Sequence, residues 1–472
     1  MYFCVQSIFM KYLISSILTI LLFSCNNTKN KNTITYFGGQ IINPKSNYVL
    51  FLKDDKIIDT LKLDSENRFI KGFKSLNEGL YIFKHGIEFQ YVYLEPKDSV
   101  LVRLNTWDFD ESIVYTGNGS SKNEFLINLF IQNEKEEKAM FKYFSLNEKK
   151  FQFKIDSLGL KRDSIYNEFT ANELHVSKGF KKLTNAAIHY PLYRLKEAYP
   201  YYYKKANKLP KFPKVSEDFY NFRNDVNLNE ANLLSFYPYR NYVINYLYNL
   251  SYQLRENDST KTNLTLNILN AIVENIDLED FRNALLKEIV VEDFLKSETT
   301  CTTNTETLAV FLDNCTHEEY INQVKNLVND SKFVLNNKPL TNFEIESIKG
   351  EILNANTIIK NKNTVIYFWS TEYMSFDYLV KRIQYLEKNN PRVMFIGINM
   401  NPDFQDIMLK SNLNLLNSNN QYKLTKDSYA NQFLTSRYPR TIMINKEGIV
   451  TNGFTYLDSP KFSSELIKLE LN

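Results

Sequence analysis

Side chains able to make or break bonds are scarce in this chain. Its 472 residues include four cysteines, Cys4, Cys25, Cys301 and Cys315, and four histidines, His85, His175, His189 and His317. Dithiol exchange needs a low-pKa thiolate and a second thiol near enough to resolve the mixed disulfide. No two cysteines stand at CxxC spacing, so exchange of that kind is excluded by composition. The histidines are scattered; only Cys315 and His317 are close, and two ligands do not make a zinc site. There is no GxGxxG, no phosphate-cradling GxxxxGK, no GxSxG elbow and no HExxH. The expectation is therefore no cofactor and no metal. Carboxylates are dispersed among lysines as on a solvated surface, and a net charge of +3 leaves no electrostatic footprint for nucleic acid.

The segment closest to a site is Phe368-Trp369-Ser370-Thr371-Glu372-Tyr373-Met374-Ser375-Phe376. It follows the apolar run Val365-Ile366-Tyr367-Phe368, whose unbroken hydrophobicity predicts a strand buried on both faces. From Phe376 onward, Leu379, Ile383 and Leu386 recur at helical spacing until Asn389-Asn390-Pro391 stops the pattern. A second buried strand is predicted over Arg392 to Asn399. Strand, helix, strand implies a parallel crossover. Further on, Arg437-Tyr438-Pro439-Arg440 leads an apolar run to Asn445. A Lys446-Glu447-Gly448 turn, a strand over Ile449 to Thr451 and a helix around Phe462 to Leu469 follow.

These residues resemble the active-site strand and turn of thioredoxin-like, TlpA-like envelope proteins (the AhpC-TSA type). In that family two cysteines follow the Phe-Trp pair, four and seven residues after the tryptophan. Here those places hold Tyr373 and Phe376. The resemblance implies a cis-proline at Pro439 and a groove beside it that holds an extended polypeptide. Trp369, Glu372, Tyr373, Phe376, Tyr438 and Pro439 are then the peptide-binding candidates, with no catalytic residue among them. The alternative for Trp369, Tyr373 and Phe376 is plain core packing, and exposure separates the two. Glu372 reads equally as an exposed acid favoured by a helix N-terminus.

The front of the chain resembles a bacterial lipoprotein signal, with Lys11, an apolar run from Tyr12 to Phe23, and Leu22-Phe23-Ser24-Cys25. Cys25 would become the lipid-bearing N-terminus, and Met10 would serve as the true start. The expected location is the cell envelope, facing the periplasm, with the membrane reached through the lipid anchor. An oxidising periplasm would allow Cys301 and Cys315 to pair, closing a loop worth about 3 kcal/mol; two buried free thiols are the alternative.

The expected layout is multidomain. Residues 1–25 are the signal and 26–32 a polar tether. Short alternating segments over 33–118, such as Tyr48 to Leu52 and Val100 to Leu104, predict an all-β sandwich. Helical periodicity over 119–333 (Phe281, Leu285 and Ile289 on one face) predicts a central α-helical region, and 334–472 an α/β thioredoxin-like domain. The tyrosines of the helical region, Tyr199 to Tyr203 and Tyr239, Tyr242 and Tyr246, are read as core rather than as a stacking platform. Three functions follow as expectations. The first is a redox-inactive module binding an envelope protein or peptide. The second is a TlpA-type thiol-disulfide oxidoreductase working through Cys301 and Cys315, and the third is a structural scaffold lipoprotein.

Overall fold

The structure, a computed structural model, describes residues 34–471 apart from 55, 87, 174, 259, 297–304, 371–373, 401–415 and 460. It divides into two compact units, residues 34–135 with 169–184 and residues 136–168 with 185–471.

In the first unit, period-two alternation of apolar residues produces two four-stranded sheets. One has the order β4-β1-β7-β8, from Arg68–Lys74, Ile34–Ile42, Ser99–Asn105 and Val114–Asn118. The other is β3-β2-β5-β6, from Lys56–Lys62, Tyr48–Lys53, Gly79–His85 and Glu88–Leu94. Their inner faces share one core in which Phe37 meets Phe51, Phe69 and Phe83 at ring distances of 5.3, 5.6 and 5.6 Å. This is a β-sandwich.

Among the described residues eight helices follow the sandwich strands: α1 (Ser120–Met140), α2 (Glu148–Asn172), α3 (Lys178–Ala206), α4 (Tyr237–Asn257), α5 (Leu264–Asn275), α6 (Glu279–Lys296), α7 (Thr305–Asn314) and α8 (Glu318–Phe333). Most of the tyrosines singled out here pack: Tyr239 and Tyr242 are wholly buried, and Tyr199 stacks 4.4 Å from Phe151 while donating its hydroxyl to the Leu146 carbonyl, whereas Tyr201 is exposed. Buried Glu197 is matched by a bidentate Arg223 (2.8 and 2.6 Å) and by Asn249 (2.7 Å), which satisfies a carboxylate that would otherwise be costly to bury.

The remaining chain forms a seven-stranded sheet of order β10-β9-β13-β12-β11-β14-β15. The strands are β9 (Glu344–Ser347), β10 (Ile352–Asn354), β11 (Thr364–Trp369), β12 (Met394–Asn399), β13 (Gln421–Leu424), β14 (Arg440–Ile444) and β15 (Val450–Thr455). Among the described residues three helices accompany them, α9 (Ala355–Ile359), α10 (Phe376–Asn389) and α11 (Phe462–Leu471). As its composition predicts, β11 is buried throughout; it pairs in parallel with β12 and antiparallel with β14. Val365, Tyr367 and Trp369 pack on α10 and α11, and Ile366 and Phe368 pack on the opposite face with Ile359, Phe433 and Ile442. The turn before β15 is made by Gly448 at φ 81°, a left-handed conformation in which glycine carries no Cβ penalty. Among the described residues no helix is long and apolar enough to cross a membrane.

Candidate functional site

Three segments meet at the C-terminal end of β11. The strand delivers Trp369 and Ser370, α10 begins at Phe376, and β14 begins at Arg440, which lies opposite Phe368. The entrance to α10 is well specified. Ser375 is its N-cap, with a side chain that accepts from the Tyr378 N–H at 3.1 Å, and the Met374 N–H reaches the Ser370 carbonyl at 3.3 Å. Past β12, the Met400 N–H holds the Trp369 carbonyl at 2.9 Å.

Trp369 is wholly buried, so the peptide-binding role expected of it is corrected to core packing. Its ring lies 5.7 Å from that of Phe376, within the cluster that joins β11 to α10 and α11, and its indole nitrogen has no acceptor among the described residues. The cause is the double-sided burial of β11, which leaves none of its side chains at the surface. Phe376, Tyr438 and Pro439 are half-buried and present part of their surface to solvent. Glu372 and Tyr373 lie outside the described residues, as do Cys4, Cys25 and Cys301.

The Tyr438–Pro439 bond is trans, which corrects the cis-proline implied by the resemblance. The chain turns instead at Arg437, at φ 60°, and a cluster absent from the sequence reading holds the loop before it. Buried Asp330, near the end of α8, accepts from the Thr435 N–H (2.9 Å) and hydroxyl (2.6 Å) through Oδ1, and from the Ser436 N–H (2.9 Å) and hydroxyl (2.6 Å) through Oδ2. Arg440 is buried beside it. Its guanidinium sits between the Phe433 and Phe454 rings, 5.4 and 4.8 Å from their centres. It donates Nε and Nη2 to the Gly453 carbonyl (2.9 and 2.6 Å) and Nη1 to the carbonyls of Asp330 and Phe433 (3.0 and 2.8 Å). Burial pushes this guanidinium down to about 9, opposed by the Asp330 charge. The sequence does carry a weak signal: Arg440 is a lone cation leading an apolar strand, and a buried charge needs partners.

Cys315 is a free, buried thiol whose nearest partner is the His317 carbonyl at 4.0 Å, and burial pushes its pKa up. That is the opposite of what a nucleophilic cysteine requires. Among the described residues no three metal-ligating side chains converge. Ser375 has its hydroxyl engaged as a helix cap, and no histidine of the chain lies in this segment to act on it.

No family model and no curated protein matches the chain. Solved structures do. A candidate thiol-disulfide oxidoreductase from Bacteroides vulgatus is 17% identical, with 29% of this chain and 99% of that one covered and a TM-score of 0.25. A thiol:disulfide interchange protein from Bacteroides sp. is 18% identical over 29% of this chain and 92% of its own, with a TM-score of 0.24. A candidate thiol:disulfide interchange protein from Chlorobium tepidum is 11% identical over 29% and 99%, with a TM-score of 0.25.

Proposed function

We propose that this chain is a lipid-anchored envelope protein whose C-terminal sheet is a thioredoxin-like module emptied of redox chemistry, serving to bind a protein or peptide partner. The observation that carries this reading is the start of α10. Where the resemblance calls for the second cysteine stands Phe376, packed on Trp369, and the residue before it, Ser375, is spent on capping the helix. A thiol at that position would resolve the mixed disulfide formed by the first one, which a phenyl ring cannot do. A phenyl ring there instead leaves a half-exposed apolar side chain at the start of α10, and Tyr438 and Pro439, just ahead of β14, are half-exposed as well. Recognition by that surface needs no electron donor.

The oxidoreductase reading would have to run through Cys301 and Cys315, and the burial of Cys315 weighs against it. The deciding experiment is a disulfide-reductase assay on residues 26–472, paired with capture of envelope polypeptides. We expect no turnover, and a captured partner that is lost on Tyr373→Ala with Tyr438→Ala. Turnover abolished by Cys301→Ser would overturn the proposal, and so would capture indifferent to both tyrosines. Attachment at Cys25 is tested separately by fatty-acid labelling of the full chain, which Cys25→Ser should abolish.

A further inference from the structure

The two outer faces of the β-sandwich are not alike. On the sheet β3-β2-β5-β6, the middle of the outward face is covered: Leu80, Ile82 and Tyr93 are buried, Tyr93 meets Phe180 of α3 at 5.1 Å, and the exposed apolar residues Tyr48, Ile57 and Phe89 lie at strand ends or on the edge strands. On the sheet β4-β1-β7-β8, the outward residues Ile70, Val114, Leu101 and Tyr36 are 65, 50, 38 and 37% exposed. Ile70 and Leu101 flank Gly38 in a single row of paired residues, so no side chain stands between them. Apolar groups gathered on one bare face mark a surface that something covers.

The charge on this face has one sign. No carboxylate occupies an outward strand position, while Lys74 lies opposite Ile34 and Arg103 opposite Gln40. Lys97 is exposed in the turn leading into β7. Lys74, Lys97 and Arg103 make no ion pair among the described residues, whereas Arg68 is taken by Glu66. Acids near the Ile34 end are already answered, since Glu95 and Asp98 both reach Lys122 (2.9 and 3.6 Å). The acidic turns, at Asp64 to Glu66 and Asp108 to Glu111, lie at the other end of β1. Lys74 and Lys97 thus mark the corner where the chain enters the sheet. Eight residues lie between Cys25 and Ile34, a contour of at most about 30 Å.

We propose that this face lies on a phospholipid bilayer, with Ile70 and Leu101 at the headgroup boundary and Lys74, Lys97 and Arg103 over anionic headgroups. The orientation rests on the lipid-anchor reading, because the anchor is what brings the first strand to the membrane; the affinity of the face does not. A short tether and a basic, apolar face would act as two attachments in series and hold the sandwich flat against the membrane.

The test uses residues 26–472, which retain every described residue and lack the anchor. Co-sedimentation is measured with vesicles of phosphatidylcholine, with and without phosphatidylglycerol. We expect binding only to the anionic vesicles, weakened about fivefold by each of Lys74→Ala, Lys97→Ala and Arg103→Ala. It should be reduced by Ile70→Ser and lost in high salt. These positions are on the surface, and an unchanged melting curve for each variant excludes misfolding. Absence of binding at millimolar lipid, or equal binding by the triple variant, overturns the proposal. Self-association that buries the face in the absence of lipid overturns it too. Failure here leaves the Cys25 labelling result standing, so the two readings are separable.

Discussion

Removing the Asp330 carboxylate should unfasten the loop that leads into β14. The carboxylate takes four hydrogen bonds, two from Thr435 and two from Ser436, all between 2.6 and 2.9 Å. Hydrogen bonds to a charged group contribute a net of about 1.5–3 kcal/mol, not additive within one network, and a buried donor left unpaired costs about 1–3 kcal/mol. Thr435 is at the surface, so water recovers much of its share, while Ser436 is half-buried. Asp330→Ala is expected to cost about 3 kcal/mol, within the range for breaking a buried charged network. Asp330→Asn keeps one acceptor oxygen and turns an NH2 toward the other donor pair, for about 2 kcal/mol. Urea unfolding followed by tryptophan fluorescence measures both variants. Of the two tryptophans, Trp107 is already 73% exposed, so the change on unfolding comes from buried Trp369, which sits in the same unit as Asp330. The expected result is a lower midpoint with an unchanged slope. A loss below about 1 kcal/mol for the alanine variant would refute the view that this carboxylate holds the loop.

Lys196 is buried against Phe219 and Phe222, 4.6 and 4.4 Å from the ring centres, and burial pushes its pKa down to about 8 from 10.5. Between those two pH values the unfolded chain holds a proton that the folded one lacks, so stability rises with pH through that window. Lys196→Met should therefore stabilise the protein by about 2 kcal/mol at pH 7, the advantage vanishing toward pH 10, as denaturant melts at both pH values will show. Gly397→Ala would drive a Cβ into the Gln421 Oε1 and to 2.6 Å from the Tyr367 hydroxyl, which accepts from the Gln421 Nε2 at 2.9 Å in the core. A loss of about 2 kcal/mol is expected in the same melts, and a neutral outcome would show that this pair can shift aside. Cys315 should resist iodoacetamide in the native protein at pH 8 and react on unfolding, as mass mapping of the labelled peptide will report; rapid native labelling would contradict its burial.

Much of the sheet was legible because its signals are local. An unbroken apolar run marked β11, period-two alternation marked strands such as β7, and Asn389-Asn390-Pro391 marked the end of α10. β3, β4 and β13 carry weaker signals. In β3 only Leu61 is buried, so its side chains show no clean alternation; β13 has only four residues. The candidate site divided along the same line. By itself the sequence determined that no CxxC pair exists, because composition and spacing survive any folding. Only the tertiary structure decided that Trp369 is core, that Pro439 follows a trans bond, and that Asp330 and Arg440, 110 residues apart, share one cluster. Exposure and pairing belong to surfaces brought together by folding, and no local pattern of residues encodes which distant backbone carbonyls will receive a buried guanidinium.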